Sequence, residues 1–140
     1  MLKEYDIQAL SHLAAMIRGE KGAQEWLMGN GYRELAEFWD AYFGIEKSFK
    51  WLLENGHPHL AAAVDAASGS DKAKLWLLKS GYRELSAIVD AAEGNKAAVA
   101  FLMQSKYKGW VGVAHEIHEF YRKKNKKGIW SFFNLGNPYN

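Results

Sequence analysis

An all-α fold, an α-α superhelix (solenoid) of about five stacked helical hairpins, is what this 140-residue sequence predicts, and two observations predict it. The first is a repeat. Trp26, Trp51, Trp76 and Phe101 are spaced by 25, each followed by a Leu at 27, 52, 77 or 102, and the same interval links Leu10, Leu35, Leu60, Leu85 and Trp110. Gly19, Gly44, Gly69 and Gly94 keep it too, as do Gly31, Gly56 and Gly81. A fixed period of this length marks supersecondary units that bury their apolar faces on one another. The second is an apolar stripe at +0, +3, +4 and +7 from each leading Leu, as in Leu35, Phe38, Trp39, Tyr42 or Leu85, Ile88, Val89, Ala92. That spacing is one face of an α-helix.

The elements follow in order. Met1-Leu2 matches Trp26-Leu27, so a partial unit leads in; four full units begin near 10, 35, 60 and 85, and a divergent fifth near 110. Helix A of each unit carries the stripe and ends at a Gly that can adopt the left-handed conformation. Ser70-Asp71 or Asn95 then supplies N-cap chemistry for helix B, which carries the Trp-Leu pair and closes at Asn30-Gly31, Asn55-Gly56 or Ser80-Gly81. Helices of ~8 to 12 residues are marginal alone in water, so stacking must supply the stability. Helix A is rich in small residues (Ala61, Ala62, Ala63, Ala66, Ala67) and helix B is bulkier, which puts helix A on the concave side of a curved stack. Residues 1–128 read as one repeat domain. Residues 129–140 read as an aromatic tail whose Trp130, Phe132 and Phe133 cap the last repeat in place of its missing Trp-Leu.

Written as Leu85-x5-Ala91-Ala92-x-Gly94-x4-Val99-x2-Leu102, the unit resembles the helical part of an ankyrin repeat, and Leu60, Ala66, Ala67, Gly69, Trp76, Leu77, Leu78 and Gly81 fit the same pattern. The resemblance covers about residues 10 to 105. It departs from ankyrin in its period, 25 in place of about 33, and in lacking the Thr-Pro-Leu-His opening of helix A. The shortfall is about the length of ankyrin's projecting hairpin. The resemblance therefore implies an ankyrin-like binding protein without fingers.

Composition narrows the function. Hydrophobic residues make up 49% and aromatics 14%, enough for a folded core, and the absence of Cys excludes disulfides, thiolate metal sites and Cys nucleophiles. No apolar run approaches the roughly 20 residues that span a bilayer, so a cytoplasmic protein is expected. The net charge of +2 hides an asymmetry: residues 1–105 hold 11 Lys and Arg against 14 Asp and Glu, residues 106–140 hold 7 against 2.

Three features are candidates for function. Asp40, Asp65 and Asp90 share a register with His115, about 140° from the centre of the apolar stripe, and with Glu37 form a face that would attract a basic partner. Tyr32-Arg33 and Tyr82-Arg83 recur at the entry to helix A, where His57 and Tyr107 hold the same register. These rings serve either as interface contacts or as staples that fix the entry of the chain. Arg122, Lys123, Lys124, Lys126 and Lys127, next to the aromatic tail, would suit phosphates and stacked bases, or else the end of the last helix. His115 and His118 lack the spacing and the third ligand of a metal site, and no phosphate loop or nucleophile elbow occurs. The expectation is a non-enzymatic interaction or scaffold module, with neither cofactor nor metal, whose partner is another protein. Nucleic-acid binding through 122–127 is the alternative, and self-association stays open.

Overall fold

The computed structural model describes the backbone of residues 1–135 and the side chains of residues 1–124. Among these residues lie nine helices and no strand: α1 (Ile7–Ile17), α2 (Ala23–Gly29), α3 (Arg33–Phe43), α4 (Glu46–Glu54), α5 (Pro58–Ala67), α6 (Asp71–Lys79), α7 (Arg83–Ala92), α8 (Lys96–Met103) and α9 (Trp110–Leu135). The expected hairpins are α1–α2, α3–α4, α5–α6 and α7–α8. Their caps are those the sequence shows. The Ser70 hydroxyl accepts from the Ala73 amide at 3.1 Å and the Asn95 side chain accepts from the Ala98 amide at 3.0 Å.

The odd-numbered helices pack in succession, α1 on α3, α3 on α5, α5 on α7, α7 on α9, and then α9 on α1. The stack is therefore a closed ring of five inner helices. Small side chains, among them Ala36, Ala61, Ala63, Ala66 and Ala91, are buried along the inner helices, which lets their backbones approach closely. Phe38 on α3 and Trp110 on α9 meet edge to face at 6.2 Å, although their helices are not ring neighbours. Large side chains thus fill the centre. Each outer helix packs on the two inner helices that flank it and on no other outer helix. Leu27, Leu52, Leu77 and Leu102 are its anchors, all fully buried.

The fifth unit departs from the hairpin, and one residue explains why. Inner helices α1, α3, α5 and α7 are followed by Gly19, Gly44, Gly69 and Gly94 at φ between +86° and +120°, a conformation that costs a residue with a Cβ about 1–2 kcal/mol. Glu119 holds this register in α9. It instead accepts from Arg122 at 2.8 Å one turn later, and the helix runs on to Leu135. The fifth outer position is taken by the non-helical residues 1–6. Leu2, in the register of Leu27, is 2% exposed, and the Tyr107 hydroxyl donates to its carbonyl at 2.7 Å. Ion pairs Arg18–Glu116 at 2.7 Å and Lys106–Glu4 at 3.7 Å fasten the same seam. The lead-in partial unit completes the circle, which the sequence reading did not foresee. The cap expected from residues 129–140 falls outside the described side chains.

Candidate interaction surface

The aromatic edge forms as a set of stacked pairs. Tyr32 and Tyr82 stand immediately before α3 and α7 and stack on Trp26 and Trp76, at 5.9 Å and 6.2 Å, with rings within 14° of parallel. His57 does the same to Trp51 at 5.7 Å. Arg33 lies over Trp51 at 4.5 Å and Arg83 over Phe101 at 5.0 Å, so each guanidinium joins an inner helix to the outer helix of its own hairpin. Tyr107 is the exception, turned inward to hold Leu2. These side chains staple the units together: Trp26 is held between His12 and Tyr32, and Tyr82 between His59 and Trp76.

The acidic face is less uniform than its spacing suggests. Asp90 pairs with Lys74 at 2.7 Å, and Asp40 accepts from Gln24 at 3.4 Å. Gln24 and Lys74 occupy one register on the outer helix of the preceding unit, so these two carboxylates tie neighbouring units together. Burial, and then the charge of Glu37, pushes the Asp40 carboxyl above the ordinary carboxylate range. Glu37 itself accepts from Ser48 at 3.2 Å and faces Arg33 at 3.5 Å. Asp65 and His115 are exposed.

At the opposite ends of the inner helices, the residue before each leading Leu lines the ring's mouth. Glu34 is buried and accepts from the Tyr5 hydroxyl at 3.1 Å; burial and the Glu34 charge raise the Tyr5 pKa. His59 stacks on Tyr82 at 4.8 Å, and burial followed by the nearby His57 lowers its pKa. Glu84 Oε2 and Trp110 Nε1 are buried without a hydrogen-bond partner.

The basic segment leaves the ring along α9. Arg122 is engaged with Glu119, and Lys124 lies 5.6 Å over Phe43 and 5.7 Å over Tyr121. Lys123 is exposed; the side chains of Lys126 and Lys127 lie outside the described residues. Beneath this segment Phe120 packs edge to face on Trp39 at 5.1 Å, and the Tyr121 hydroxyl donates to the Tyr42 carbonyl at 3.0 Å.

The surface feature that sequence reasoning missed is apolar. Met28, Leu53, Leu78 and Met103 share one register on the four outer helices and are 43–54% exposed. Trp76 and Leu75 add to the row on α6. Three consecutive apolar residues sweep about 200° of a helix, so Trp51-Leu52-Leu53 and its counterparts cannot all face the core. Because the outer helices do not touch one another, the third residue stays in solvent.

Among the described residues no three His, Asp or Glu side chains come close enough to hold a metal ion, and no helix is long and apolar enough to cross a membrane. Compared with protein-family profiles, curated proteins and solved structures, the chain finds no match in any of the three.

Proposed function

We propose that this protein is a non-catalytic interaction module of the cytoplasm, an ankyrin-like helical repeat without fingers that presents its outer wall to another protein. The exposed row Met28, Leu53, Leu78 and Met103 carries the reading. One large apolar side chain per unit, left in water at a fixed spacing, is a recurring cost in solubility that an interface would offset. Arg33 and Arg83 on their aromatic rings belong to the same outer wall and supply the residue types enriched in binding hot spots.

Affinity capture from native extract, with the wild type beside Leu53→Asp and Leu78→Asp, tests it. A partner retained by the wild type and lost from both variants is the expected result. If the captured set is unchanged, the outer wall is not the interface. If instead the protein binds heparin with a steep salt dependence, and replacing Lys123, Lys124, Lys126 and Lys127 by Ser abolishes that binding, the function passes to nucleic acid.

A further inference from the structure

The seam of the ring differs from the other inter-unit junctions in ways that open a cleft. The register that holds Tyr32, His57 and Tyr82 is Ile7 here, 65% exposed. Where His59 stacks on Tyr82 between α5 and α7, the corresponding pair between α9 and α1 is Gly109 and Ile7. The register of Trp26, Trp51, Trp76 and Phe101 is Met1, 74% exposed. The registers of Met1 and Ile7, which carry rings in the other units, carry none here, and a cleft of about 460 Å³ lies beside Ile7, lined by Tyr5, Leu10, Met103, Tyr107, Lys108 and Trp110 among others.

Its chemistry is specific. Lys108 stands in the register of Arg33 and Arg83, the cations that lie over the outer-helix aromatics of their own hairpins. The register that supplies the ring to Arg33 and Arg83 is Met1 here, so Lys108 is the cation of this register without its ring. Lys106 is engaged, 3.7 Å from Glu4 and 5.5 Å over the Tyr107 ring, so Lys108 is the cation of the lining without a partner among the described residues. Met103 belongs both to the cleft and to the exposed apolar row, so the two surfaces are continuous.

We infer that the seam cleft is the anchor pocket of the outer-wall interface, and that it takes an aromatic side chain, Trp or Phe, presented by an acidic segment of a partner protein. The inference rests on the proposed interaction role and names the chemistry of the partner. The ring replaces what Met1 and Ile7 do not provide, under Lys108, as Trp51 sits under Arg33. Acidic neighbours meet Lys108.

A fluorescein-labelled peptide with the sequence of residues 46–54, its two lysines changed to glutamate, supplies the Trp and the charge, and polarisation against the full-length protein reads its binding. Saturable binding is expected. It should weaken at least tenfold when the peptide's Trp and Phe are both replaced by Ala, and equally when the protein carries Lys108→Glu. Ile7→Trp fills the cleft from within and should abolish binding while thermal stability is kept or raised, which separates occupancy from misfolding. Failure of the wild type to bind, or binding indifferent to all three changes, overturns the inference and leaves the Leu53 and Leu78 capture result standing. Concentration-dependent dimerisation abolished by Ile7→Trp would assign the cleft to a second copy and overturn it as well.

Discussion

His59 and Tyr107 show how single side chains at the N-terminal mouth of the ring set its response to solvent. His59 has a pKa below the ordinary 6.5 because burial and His57 oppose its charge, whereas in the unfolded chain it titrates normally. A base with a depressed folded pKa binds its proton preferentially in the unfolded state, so stability falls as pH drops through about 6.5 and toward the folded value. Thermal melts between pH 7.5 and 5.5 should therefore show a falling midpoint, and His59→Gln should flatten the slope. Tyr107 joins the two ends of the molecule through its bond to Leu2. Tyr107→Phe strands a carbonyl and should cost about 1–3 kcal/mol in urea unfolding.

Among the elements, the glycine turns and the segment 1–6 bear most of the architecture. Gly94 is left-handed at φ +95°, and a Cβ there would stand 3.0 Å from the His118 ring, whereas at Gly44, φ +120°, a Cβ would meet nothing within 4 Å. Both substitutions by Ala incur backbone strain of about 1 kcal/mol or more, and Gly94→Ala should be the more damaging because a packed ring must also move. Leu2→Ala should cost about 2–5 kcal/mol, as for the anchor of an ordinary outer helix, although Leu2 lies in a non-helical segment. Equal losses for Leu2→Ala and Leu52→Ala in chemical unfolding would show that the segment serves as the fifth outer element. A loss under 1 kcal/mol at Leu2 would show that it does not.

At the scale of the whole molecule, the repeat and its hairpins were legible in the sequence and the closure was not. Each hairpin is written in its own 25 residues, by the apolar stripe, the Gly turns and the buried Leu. The rotation from one unit to the next depends on how closely inner helices approach, which is a sum of small packing terms that no single repeat displays. Two signs were present: Glu119 in the Gly register, and Met1-Leu2 matching Trp26-Leu27 exactly five periods before the register returns at residues 126 and 127. The exposed row was hidden for a different reason. Leu53 and Leu78 follow buried Leu52 and Leu77 directly, and a run of apolar residues reads as one core face until the spacing of the outer helices is known. The acidic register was legible as a pattern, but Lys74 and Gln24, which engage it from the preceding unit, lie 16 residues away and show no relation to it in the sequence. Closure also predicts the outcome of removing one period: deleting residues 46–70 should not yield a shorter stable rod, because four inner helices would have to span a circle built by five. Circular dichroism and sedimentation of that variant should show lost cooperativity or aggregation.

The seam between α1 and α9 has a kinetic consequence as well. In a linear array the terminal units fray first and unfolding spreads inward, so amide hydrogen exchange is graded from end to centre. A chain whose first and last inner helices support each other has no such starting point. Amides of α1 should exchange as slowly as those of α5, and refolding should be slow for an all-helical chain of this size, because its final contact must join segments about a hundred residues apart.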